Sequence, residues 1–287
     1  MLRALLPHER LFGVFLVIAW LRLALAGGAL RPDSAAWLTL IAAEIVLVRR
    51  CLKDPSKLNW RLRLLYHPLA MNASYQLLGV SVPFFNPRTA DLFLQRADAF
   101  LIGANLSVRL EPFVCRPLTE VMSFCYILFM PYLLLSLLWY FCDELELCRK
   151  FYVGLFTLYG LGFLGYTFVP ALGPWLARPD WFRVPLEGWW ITRVNAQMVL
   201  LGSNRVDVFP SLHCAVSSYF LFFDRRHKPW RYRAYLLPCA GLWLSTLYLR
   251  YHYFIDVLCG FALAALCLWV AERFAKEKAH DALSRVQ

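Results

Sequence analysis

Between Glu120 and Asp143 the chain carries no charged residue, a stretch long enough to cross a lipid bilayer as a helix. A second long apolar stretch follows His252, with Asp256 as its one charged residue before Glu272. In all, eight apolar segments can be drawn, at about 11–30, 34–48, 64–85, 119–141, 151–170, 209–223, 235–251 and 253–271. Inside a bilayer each backbone N–H and C=O must be paired within the protein, and a long apolar segment satisfies this as a helix. The composition agrees. The chain is 60% hydrophobic and 17% charged, where an ordinary soluble domain is about 45–50% apolar and about 25% charged. Its mean hydropathy is +0.51. Such runs also exclude a transmembrane β-barrel, whose strands alternate. The expected fold is therefore all-α and polytopic. Two accessory N-terminal spans and a basic loop occupy 1–60, a six-helix membrane domain 61–275, and a cytoplasmic tail 276–287.

A net charge of +11 suggests nucleic acid in a soluble protein, but in a membrane protein basic residues set topology. With the N-terminus inside, the inner segments hold 19 Lys and Arg and the outer ones 10, with Arg22 in the first span. The clusters Arg49 to Arg63 and Arg225 to Arg233 both fall inside. Both termini are thus expected in the cytoplasm, and no nucleic-acid partner is expected. Ala24-Leu25-Ala26 resembles a signal-peptide cleavage site, but Arg22 in the preceding apolar run argues against one. The nine cysteines are scattered, with no C-x-x-C pair, and read as small buried hydrophobes. His8, His67, His227 and His280 read as structural, and Arg22 and Glu44 as residues that pair or snorkel.

Two outer loops are substantial. Residues 86–118 hold Leu92, Phe93, Leu94, Ala97, Phe100 and Leu101 among charges, the pattern of an amphipathic helix at a membrane interface. Residues 171–208 hold Trp175, Trp181, Trp189 and Trp190, as an interfacial aromatic belt does.

Polar residues at the ends of spans carry the chemical information. Phe209-Pro210-Ser211-Leu212-His213 precedes an apolar run, so a helix is expected to start there, with Pro in its first turn. Its free amides and positive dipole end form an anion site. Ser211 adds a hydroxyl and His213 a titratable ring. Arg250-Tyr251-His252-Tyr253-Phe254-Ile255-Asp256 opens the last span. His252 and Asp256, four apart, share a face if the helix includes both, and a carboxylate beside an imidazole sets its tautomer. Both stretches fall at the outer ends of their spans. Two histidines beside an anion site point to phosphoryl transfer, one as nucleophile and one as general acid.

P-S-L-H followed 39 residues later by H-x-x-x-D, with Gly260 beyond, resembles the type-2 phosphatidic acid phosphatase superfamily of membrane lipid-phosphate phosphatases and phosphotransferases. The usual signature of that superfamily is K-x6-R-P, P-S-G-H and S-R-x5-H-x3-D. Here Leu212 replaces the Gly, Thr246 stands where the third motif has Arg, and Gly165 to Trp175 occupies the first-motif region without its Lys and Arg. P-S-L-H, H-Y-x-x-D and the Pro-rich G-Y-x-x-x-P segment resemble the inositol phosphorylceramide synthase-like branch. The resemblance implies that His252 is the nucleophile, Asp256 its partner and His213 the general acid, with Ser211 binding phosphate. Arg250 is the candidate cation, because on a continuous helix it shares a face with Thr246; a break before His252 removes that argument. Tyr166 is a candidate substrate contact. Arg109-x6-Arg116-Pro117 matches the first-motif spacing but lies too far upstream, and reads as coincidence.

The expected function is a lipid-phosphate phosphatase that works through a phosphohistidine, with no metal and no cofactor. Its substrate would be a phospholipid or polyprenyl phosphate at the outer face, in a bacterial inner membrane with the site toward the periplasm. The alternatives are a phosphotransferase moving a phospho-head group between lipids, and a non-enzymatic lipid transporter on the same scaffold. The oligomeric state is not readable from the residues.

Overall fold

The computed structural model describes residues 5–283, with side chains through 275. The expected tail over 276–287 therefore falls outside the described side chains, and 284–287 fall outside the described residues.

Regular structure among the described residues is helical throughout. In chain order the helices are α1 (Pro7–Leu23), continued by a π-helical turn Ala24–Gly28, α2 (Pro32–Lys53), α3 (Lys57–Phe85), α4 (Asp91–Ile102), α5 (Leu106–Arg109), α6 (Arg116–Ile127) and α7 (Phe129–Cys142). They continue as α8 (Leu145–Phe168), α9 (Pro174–Ala177), α10 (Trp190–Gly202), α11 (Leu212–His227), α12 (Pro229–Tyr248) and α13 (Phe254–Leu283). The eight apolar segments fall on α1, α2, α3, α6 with α7, α8, α11, α12 and α13. Four stretches are long and apolar enough to cross a membrane: Pro7–Gly28, Arg116–Cys142, Leu145–Phe168 and Phe254–Ala275. The other four helices fall short of this measure. α11 has only 16 residues, α2 carries Glu44 with Arg49 and Arg50, α3 carries His67, Asn72 and Gln76, and α12 opens with Arg231 and Arg233. Prolines at the first turns of α1, α2 and α12 start those helices where an unpaired N–H is lost at no cost.

The chain divides into two compact units. The first comprises the chain up to Phe85, Leu135–Leu164 and the chain from Leu263. Its core is aromatic: Phe15 packs on Trp37 and Phe163 at 5.7 and 5.4 Å between ring centroids. One buried ion pair is matched in full. Arg63 Nε and Nη2 donate to the two carboxylate oxygens of Glu9 at 2.5 and 2.6 Å, with both side chains out of solvent. The rings of His8 and His67 lie 4.4 Å apart against Phe12 and Phe156. Arg22 lies over the Phe85 ring, and Glu44 lies against Gly13.

The second unit comprises Asn86–Leu134 and Gly165–Ala262. In it α12 packs between α11 and α6, and α6 packs on α10. Helix α4 turns its polar face inward. Asp91, Leu94 and Asp98 are buried, at the i, i+3, i+7 spacing of one face. Phe93 and Phe100 are 64% and 88% exposed, beside exposed Leu92 and Leu101. The amphipathic helix expected over this loop is present, but its apolar side faces out and Leu94 belongs to the buried side.

Removing one partner from a buried ion pair leaves an uncompensated charge, at a cost of about 3–5 kcal/mol. Arg63→Met should therefore lower the thermal midpoint of the protein in detergent by a large margin. The double variant Glu9→Gln/Arg63→Met should recover most of that loss; an equal loss in both would contradict the pairing argument.

Candidate active site

The chain folds into helix α11 at Leu212 because Ser211 caps it: Ser211 Oγ accepts from the Cys214 amide at 3.4 Å. Pro210, expected in the first turn, instead precedes the cap. The amides of Leu212 and His213 open the helix, where no carbonyl of the same helix reaches them. The cap leaves the Ser211 hydroxyl its own proton to donate. The His213 ring lies between Tyr126 at 4.7 Å and Phe129 at 4.5 Å, and faces the His252 ring edge-on at 5.7 Å.

His252 stands in the turn between α12 and α13, not on α13. Helix α12 ends at Tyr248. Arg250 takes a left-handed φ of 68°, and the Thr246 carbonyl accepts the amides of both Tyr251 and His252, at 3.0 and 3.1 Å. The partnership with Asp256 therefore does not rest on a shared helix face. His252 Nδ1 is 3.6 Å from Asp256 Oδ2 and closer, 3.1 Å, to the Val208 carbonyl oxygen. A carbonyl only accepts, so the hydrogen of the neutral ring sits on Nδ1 and the lone pair on Nε2. The Ser211 amide donates to the Asp256 carbonyl at 3.1 Å, which joins the two motif segments through backbone. Gly260 packs on the same junction, where a Cβ would come 2.6 Å from the Ser211 carbonyl oxygen. Gly173, at φ 81°, brings the loop after α8 against the Tyr251 carbonyl, leaving no room for a side chain.

Carboxylates hold the other side of His252. Asp256 Oδ2 accepts the Tyr253 amide at 2.8 Å. Asp98 accepts the amides of Phe254 and Ile255, both at 2.9 Å. Asp91 accepts the Tyr253 hydroxyl at 3.0 Å and the amides of Leu172 and Gly173. Asp91 and Asp98 escaped the sequence reading, although their seven-residue spacing on α4 was the available signal. Burial raises the carboxyl of Asp98 and is opposed by the two amides it accepts. Among the described residues no set of three His, Cys, Asp or Glu is placed to hold a metal ion.

Thus Ser211, His213, His252 and Asp256 come together. Arg250 is placed differently from its expectation. The helix break removes the face it was to share with Thr246. Its guanidinium donates to the Val184 carbonyl at 2.6 Å, lies 3.5 Å from Glu111 and stacks 4.0 Å over Phe182. The Thr246 hydroxyl donates to the Trp243 carbonyl at 2.8 Å. Tyr166 is buried in the last turn of α8. Arg116 forms an exposed ion pair with Glu187 at 3.0 Å.

Burial pushes the His252 imidazole down to about 4, against the opposing pull of Asp207 and the Val208 carbonyl. The unfolded chain therefore takes up this proton near 6.5, and the folded chain only near 4. The contribution to stability is full above about pH 6.5 and is lost as pH falls through that window. His252→Gln should flatten the acid side of the stability curve between those values, and a curve as steep as that of the parent would refute this.

A scan of protein families matches the PAP2 superfamily over residues 94–270, more than half of the chain, including Asp98, Ser211, His213, His252 and Asp256. No curated protein and no solved structure matches the sequence. Members of this superfamily are helical membrane proteins and generally phosphatases or phosphotransferases. With its helices, its paired histidines and this match, the chain belongs to the PAP2 superfamily.

Proposed function

We propose that the protein is a lipid-phosphate phosphatase that works through a phosphohistidine at His252, on a phosphatidate or polyprenyl phosphate type of substrate. One observation carries the reading: His252 holds its hydrogen on the Val208 carbonyl side, which leaves Nε2 unprotonated in a site shared with His213 and the start of α11. Nε2 attacks phosphorus, the bond to the leaving oxygen breaks, and His213 gives that oxygen a proton. Water then attacks phosphorus, the phosphorus–nitrogen bond breaks back to His252, and His213 takes a proton from the water. Ser211 and the amides opening α11 hold the phosphoryl oxygens. Asp256 steadies the imidazole from its Nδ1 side. Arg250 is engaged by Val184, Glu111 and Phe182, and is assigned no phosphate contact. Tyr166 lines the lipid contact. The site faces the periplasmic side of a bacterial inner membrane, with both termini in the cytoplasm, a placement supported by the excess of basic residues in the inner loops.

The burial of His252, only 3% exposed, favours a second reading. A site closed to bulk water protects a covalent intermediate from hydrolysis. An alcohol on a second lipid then accepts the phospho-head group, as the inositol phosphorylceramide synthase-like resemblance implies. Hydrolysis and transfer differ only in the oxygen that attacks last.

Purified wild type and His252→Ala are assayed for phosphate release from phosphatidate and a polyprenyl diphosphate, with and without a lipid alcohol acceptor. His252→Ala should lose at least about a thousandfold in rate, as removal of a covalent nucleophile does. Free phosphate identifies the hydrolase, and a new phospholipid with little free phosphate identifies the transferase. Equal activity in both proteins sinks the phosphohistidine, and silence from both favours the non-enzymatic lipid-transporter reading.

A further inference from the structure

We infer that Asp98 is a positioning residue for the reaction at His252, acting from α4 through the start of α13. The inference rests on the reading of His252 as nucleophile. A helix normally satisfies its first amides with a Ser, Thr, Asp or Asn at its own N-cap. Tyr253 occupies that place in α13 and has no side-chain acceptor for an amide two or three residues on. Asp256 reaches back to the Tyr253 amide. The amides of Phe254 and Ile255 are instead taken by the two oxygens of Asp98, one each, across 156 and 157 residues of chain.

Asp98 is 0% exposed, so water does not substitute for it. His252 lies two residues before the capped amides, and Asp256 one residue after them. The fork therefore sets both members of the pair at once. The backbone on the opposite side of His252 is held by the Thr246 carbonyl. With Asp98 removed, one of these two holds is gone, and the 3.1 Å bond from Nδ1 to Val208 no longer has a fixed base. Asp98 touches neither ring, and Asp91 holds the neighbouring Tyr253 hydroxyl by a separate bond.

Misplacement of a reacting group by about 1 Å costs on the order of a hundredfold in rate. Asp98→Asn keeps the shape, loses one acceptor and turns an amide NH2 toward a donor. It should lower kcat about 10- to 100-fold with KM changed by less than about 3-fold, since substrate binds at the start of α11. Hydrogen exchange should rise across 252–257 and stay unchanged in α11. Phe254→Pro tests the same bond from the other side. It deletes one of the two donors at a first-turn position where Pro is tolerated, and should give the same split if Asp98→Asn does not fold. A capping role without positioning would lower the thermal midpoint but leave kcat per folded molecule intact. That outcome, or unchanged exchange at 252–257, overturns the inference. His252→Ala inactive with Asp98→Asn at full kcat overturns the inference alone. His252→Ala as active as wild type, or a wild type that turns over none of the lipids, removes the nucleophile reading and the positioning role with it.

Discussion

Unpaired amides at the start of a helix are tolerable in water and costly where water is absent, and α13 begins in such a place. Its first amides, those of Tyr253, Phe254 and Ile255, are each taken by a carboxylate, from Asp256 or from Asp98. The position of His252 follows from that requirement. The same three residues also bind distant pieces of chain together, because Asp91 links Tyr253 to the loop at Leu172 and Gly173. These three amides of α13 are thereby satisfied. The amides of α11 are not, since only Cys214 is capped. Two helix starts lie at one site, and only the one carrying Ser211 and His213 keeps donors for an anion.

The aromatic residues around His213 serve a related end. Tyr126 and Phe129 pack on its ring, and Tyr251 packs on Tyr126. Packed on two sides, the His213 ring is held facing His252. The Asn195 side-chain amide donates to the Tyr251 hydroxyl at 3.1 Å, which ties α10 to this group. The start of α10 is held by Glu120, which accepts the Trp189, Ile191 and Thr192 amides. Remote carboxylates capping helix starts are thus used twice in the second unit, for α10 and α13. In the first unit, buried charge is neutralised as an ion pair, Glu9 with Arg63. In both units a buried polar group is matched to a partner far away in sequence, and each match fixes how helices pack.

Apolar run length, the Pro-Ser-Leu-His helix start and the His-x-x-x-Asp spacing were readable one segment at a time. All three are local properties: hydrophobic length, cap chemistry and short spacing each act within a few turns. Helices lie on all eight apolar segments, and His252 lies near Asp256 without the shared helix face that their spacing implied. Arg250 shows where local reasoning stopped. Its assignment needed α12 to continue, and the chain instead breaks at Tyr248 because the Thr246 carbonyl captures two later amides. Helix α4 shows the same limit. Its mixed face was readable as amphipathic, but which side turns inward depends on Asp98 finding the amides of Phe254 and Ile255.

What the amino-acid sequence determined by itself is an all-helical membrane chain with a paired-histidine site, since bilayer length and helix-start chemistry are written in consecutive residues. What only the tertiary structure decided is how that site is held. The Val208 carbonyl, rather than Asp256, is nearest to His252 Nδ1, and Asp98, from a helix outside the motifs, caps the segment that follows. The physical reason is the same in both cases. A buried donor takes whichever acceptor folding brings nearest, and that choice is not encoded in spacing along the chain.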